Sequence, residues 1–151
     1  MKRKFFSLIL FNVTLFFALI SIHELGHATF SFLTDCKEGK VIMFDLNGNA
    51  PYTLLSCSDL KSKWLISLGG FFSTLLFGCL FLFSGKSDKN VFWLILGFSI
   101  VFSSFDIISI LNIPFLFPTL IGVGFTFVSV GEYLIASYLI ETKKTYLLIR
   151  E

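Results

Sequence analysis

Four apolar stretches, each long enough to cross a lipid bilayer, limit what this chain can fold into more than any other feature. They run over residues 5–33, 64–84, 91–112 and 119–140. A helix rises 1.5 Å per residue, so about 20 apolar residues cover a hydrocarbon core roughly 30 Å thick. Within lipid every backbone N–H and C=O must find its partner inside the segment, which makes each run a helix. Composition agrees: 55% of the 151 residues are hydrophobic, 21 are Phe and the mean hydropathy is +0.84. That is more apolar surface than one soluble core uses. The expected fold is an all-α integral membrane protein, a bundle of four transmembrane helices. No Pro/Ser-rich linker, repeat or low-complexity tract divides the chain, so residues 1–151 are expected to form one domain. A formal charge of +2 without a basic stripe gives no reason to expect a nucleic-acid partner. The lipid bilayer is the expected environment, with multi-pass insertion and the cell membrane as the first expectation for location.

The breaks between the runs differ in kind. Residues 34–63 hold eight charged side chains, residues 85–90 make a short turn, and residues 113–118 carry Pro114 and Pro118. In the long loop, residues 40–55 alternate apolar and polar positions around Asn47-Gly48-Asn49, which predicts a small β-hairpin beside the membrane. Cys36 and Cys57 flank that loop and suit a disulfide if it faces an oxidising compartment, whereas Cys79 lies in an apolar run and reads as packing. Lys2-Arg3-Lys4 ahead of an apolar run has the look of a signal peptide. The run continues to Leu33 without a small-x-small cleavage site, however, and is expected to stay as a span. Counting Lys and Arg favours both termini in the cytoplasm, by eight inner charges to four in the outer loop.

Ionisable residues inside such runs are costly, about 2.5–3.5 kcal/mol each on insertion scales, and by default they mark function. Three of them fall within five positions of the first run, in His23-Glu24-Leu25-Gly26-His27. His23 and His27 are the only histidines in the chain. At i and i+4 they share one helix face, so their ring nitrogens can converge on one metal ion at about 2.0–2.1 Å. Glu24 is turned about 100° away from His23, beside the ion and in the position of a general base. The pattern predicts a zinc site.

Catalytic zinc usually takes three protein ligands and keeps a fourth position open. Two further carboxylates lie well inside runs, Asp106 and Glu132. Asp106 is preferred as the third ligand, because it stands near the end of its span, ahead of Asn112-Ile113-Pro114, where the helix can open and admit water. Glu132 is the alternative ligand, or else a hydrogen-bond partner of a ligand histidine.

On these residues the chain resembles the site-2 protease family of intramembrane metalloproteases. His23, Glu24, Gly26 and His27 match that family's His-Glu-Leu-Gly-His helix, and Gly69-Gly70 looks like its glycine-containing partner helix. Asp106 holds the place of its aspartate ligand, although Ile107 follows it where the family has glycine, and Asn112-Ile113-Pro114 comes after the aspartate instead of before it. The family's asparagine after the glycines is absent, with Ser73 and Thr74 in that region. The resemblance implies a zinc metalloendopeptidase acting on membrane-spanning or membrane-proximal segments of a protein or peptide substrate. It also implies a site nearer the cytoplasm, against the charge count, so orientation and oligomeric state stay open at this stage. The alternative function is a non-proteolytic zinc-binding membrane protein: a sensor, a transporter or an inactive regulatory relative.

Overall fold

The computed structural model describes residues 2–34, 36–42, 52–56, 60–85, 88–111 and 113–148. Helix α1 (Lys2–Leu33) is followed by strands β1 (Lys37–Ile42) and β2 (Tyr52–Ser56), then by α2 (Leu60–Leu82), α3 (Asp88–Leu111) and α4 (Leu116–Leu148). Each helix contains a segment long and apolar enough to cross a membrane: Phe6–Leu33, Lys61–Leu82, Asp88–Ile108 and Leu116–Ile140. The bundle is that of a multi-pass membrane protein.

Helix ends depart from the apolar runs for local reasons. α2 begins at Leu60, so Lys61 and Lys63 sit in its first turn with their side chains exposed, where long basic chains keep their charge out of lipid. α3 begins on Asp88, whose negative charge suits the positive end of the helix dipole. Of the two prolines expected in the last break, only Pro114 lies in it, in a turn closed by Leu116 N–H donating to Ile113 O at 3.1 Å. Pro118 falls in the first turn of α4, where a missing N–H leaves no intrahelical bond unmade.

β1 and β2 pair antiparallel, with Ile42 opposite Tyr52, Val41 opposite Thr53, Lys40 opposite Leu54 and Lys37 opposite Ser56. The register slips between Lys37 and Lys40, as a β-bulge makes it slip. The residues joining the strands, Asn47-Gly48-Asn49 among them, lie outside the described residues, as does Cys57. Both strands lie against α1. Cys36, at the start of β1, is disulfide-bonded, and Cys79 in α2 is a free thiol.

α2 packs between α1 and α3, and α4 packs on α3, while α1 and α4 bring no Cα atoms within 8 Å of each other among the described residues. Lipid tails are as apolar as leucine, so what holds such helices together is close packing, and small residues permit it. At the α3–α4 crossing a Cβ on Gly97 would fall 2.6 Å from Val128 N and 2.7 Å from Gly124 O. The centre of the bundle is Leu15 and Leu19 from α1 with Leu94 and Ile95 from α3, closed over by Phe77 and Phe81 of α2. Phe6, Phe17, Leu76, Phe83 and Phe115 point outward, as side chains facing lipid do.

Candidate metal centre

The motif lies in the last third of α1, where the helix turns its polar face onto α2. His23, Glu24 and His27 are buried, at 4%, 7% and 5% exposure, whereas Leu25 between them is 62% exposed. Helical spacing stacks the two imidazoles edge to face, with ring centroids 4.6 Å apart. Glycine on both helices lets α2 come in under them. A Cβ on Gly26 would sit 2.5 Å from Gly69 O, and one on Gly70 would sit 2.6–2.8 Å from three atoms of the His23 ring. The Gly-Gly pair of α2 is therefore the floor on which His23 rests.

α3 supplies the third group. Asp106 Oδ2 stands 2.9 Å from His23 Nε2 and 3.3 Å from His27 Nε2. His27 is oriented from behind, because its Nδ1 lies 2.7 Å from Ile66 O on α2. A carbonyl only accepts, so Nδ1 carries a proton and Nε2 is the nitrogen turned toward Asp106. His23 meets Phe102 of α3 edge-on at 5.7 Å.

Two Nε2 atoms and a carboxylate oxygen make a donor set of the kind zinc takes. Bonds of 2.0–2.1 Å in a tetrahedron hold ligand atoms about 3.3 Å apart, close to the separations between Asp106 and the two rings. Glu24 lies beside the two rings: a ligand atom from each of His23, Glu24 and His27 lies within 4.8 Å of the others, a second trio next to the one that Asp106 makes with the rings. These residues fit a metal ion.

A family model described as Peptidase M50B-like matches residues 9–148. The chain belongs to the Peptidase M50B-like family. This is the site-2 protease family that the motif resembles, a family of metallopeptidases that are generally zinc-dependent. No curated protein and no solved structure matches the chain.

The M50B-like match begins within α1 and runs to the end of α4, so His23, Glu24, His27 and Asp106 all lie inside it. One of the two carboxylates weighed as third ligand stands apart from that centre. Glu132 accepts a hydrogen bond from Asn12 Nδ2 at 2.6 Å, eleven residues before His23 on α1 and so about 16 Å along the helix. Sequence reasoning did not single out Asn12, although an amide within an apolar run is itself a sign that a partner waits on another helix. It also gave no weight to Ser103, which is buried one turn before Asp106.

Proposed function

We propose that this M50B-like protein is an intramembrane zinc metalloendopeptidase that cleaves membrane-spanning or membrane-proximal segments. In this reading the metal is held by His23, His27 and Asp106. The observation that carries it is the convergence of Asp106 Oδ2 on both Nε2 atoms, from a helix more than 70 residues away in sequence. Zinc, when bound, supplies Lewis acidity toward a peptide carbonyl and makes water more acidic.

The remaining chemistry belongs to the chain. Glu24 takes a proton from the attacking water on its carboxylate and returns it to the leaving nitrogen. Its burial beside the imidazoles keeps bulk water from competing for that proton. The hydrogen bond from His27 to Ile66 O fixes one ring, and Gly70 lets the other lie flat against α2. A transmembrane substrate has to unwind before its carbonyl can be attacked, since helical carbonyls are already bonded and shielded. The β1–β2 sheet, set against α1, offers strand edges that no other described strand pairs, and an extended segment adds to such an edge through main-chain hydrogen bonds.

The test is the zinc content of detergent-purified wild type beside H23A, H27A, D106A and E132A, with E24Q assayed on a co-expressed membrane substrate. One zinc per chain is expected, lost with the first three variants and kept in E132A, while E24Q keeps zinc and loses cleavage. A folded, metal-replete wild type without zinc would overturn the enzyme reading. Full cleavage by E24Q would remove Glu24 from the mechanism.

A further inference from the structure

A buried hydroxyl on a transmembrane helix has a default partner, the carbonyl one turn back on its own helix. The described helices use it repeatedly. Ser31 Oγ donates to Ala28 O at 2.6 Å, Thr74 Oγ1 to Gly70 O at 3.1 Å, Ser99 Oγ to Ile95 O at 2.8 Å and Ser104 Oγ to Val101 O at 2.6 Å. Ser103 departs from this. It is 3% exposed, and its Oγ has no hydrogen-bond partner among the described residues. Such a group is costly in a low-dielectric interior, and lipid offers it nothing. His23 Nδ1 is in the same state, also buried and also unpartnered.

The two lie at one level of the bundle. α2 and α3 run antiparallel across a short connection, and Gly78 of α2 meets Phe92 and Ile95 of α3. Eight residues back along α2 and eight forward along α3 bring Gly70 level with Ser103. Gly70 is the residue on which the His23 ring lies. Phe102, next to Ser103, touches that ring, and Asp106, one turn beyond Ser103, reaches its Nε2. Among the described residues a third buried atom without a partner, Asn12 Oδ1, belongs to the distant pair with Glu132.

We propose that Ser103 is the positioning residue of His23: its hydroxyl accepts the Nδ1–H of His23, directly after rotation about χ1 or across one water, when Nε2 faces the metal. The inference rests on the zinc reading, because an imidazole that gives its Nε2 lone pair to an ion carries its proton on Nδ1 and needs an acceptor there. His27 has that acceptor in Ile66 O. Ser103 completes the equivalent arrangement for His23, so one ligand is oriented by a backbone carbonyl that substitution leaves in place and the other by a side chain that substitution removes.

The experiment uses zinc-loaded full-length protein labelled with ¹⁵N at histidine, as wild type, S103A and S103T. With two histidines in the chain, each ring is read separately. Wild type and S103T are expected to show two slowly exchanging Nδ1–H signals, and S103A only that of His27, which also reports that the bundle is folded. Zinc affinity, measured by chelator competition, should fall about 10–100-fold in S103A and recover in S103T. A single protected signal in zinc-loaded wild type overturns the inference without any variant. S103A with both signals and wild-type affinity overturns it and leaves the zinc site standing. A wild type that takes up no zinc overturns both readings.

Discussion

The contact between Gly70 and the His23 ring makes residue 70 a sensitive test of the centre. A methyl group there has to displace the imidazole or move α2, since the atoms it would meet are 2.6–2.8 Å away. G70A is therefore expected to lower zinc affinity by more than tenfold while helix content by circular dichroism is unchanged. In the proposed mechanism Glu24→Gln keeps the shape of the base and removes its function, so its expected signature is the reverse: full zinc occupancy with cleavage reduced by about 10²–10⁴-fold. Much at this scale was legible in the sequence. Two histidines one turn apart and a carboxylate in lipid are expensive enough to announce themselves, and the preference for Asp106 over Glu132 rested on where the helix can open. The contact beneath His23 was not legible, because a glycine pair reads equally well as helix packing. Ser103 was hidden by chemistry: a serine in a helix normally bonds its own backbone, and only the structure shows that this one does not.

Among the helices, the α3–α4 crossing depends on backbones that nearly touch. G97A would push a methyl into Val128 N and Gly124 O, backbone atoms that cannot rotate away, and into Val128 Cγ2. Overpacking of this kind costs about 1–3 kcal/mol, and the thermal midpoint in detergent should fall accordingly. G122A is the control, since nothing lies within 4 Å of the added Cβ. It is expected to be neutral or to stabilise by up to about 1 kcal/mol through helix propensity. The four helices follow from run length alone, but their ends do not. Lys61 and Lys63 belong to α2 and Pro118 to α4 because a first turn tolerates exposed charge and a missing N–H. Hydropathy counts them as loop. The same count says nothing of which helices touch, so the position of α2 between α1 and α3 emerges only in three dimensions.

For the molecule as a whole, α1 and α4 stand apart, and the hydrogen bond from Asn12 to Glu132 spans the distance between them. Removing one partner strands the other, so E132A is expected to destabilise the bundle by about 1–3 kcal/mol in detergent unfolding, with zinc content unchanged. E132Q, which can still accept from Asn12, should lose less. A gap of 120 residues between the partners kept this pairing out of reach of sequence spacing. The spans are also unequal: 28 residues in α1 against 22 in α2 and 21 in α3. A bilayer that suits the shorter two leaves α1 about 9 Å too long, and tilt or burial of one end has to absorb the excess. In the proposed site two ligands ride on α1 and the third on α3, so a change in tilt would alter the distance between them. In vesicles of stepwise acyl-chain length, zinc affinity is expected to pass through a maximum. Membrane thickness, a property encoded by no residue of the chain, then works as a setting of the centre, and moving the protein between thin and thick membranes would retune it without altering a single atom of its covalent structure.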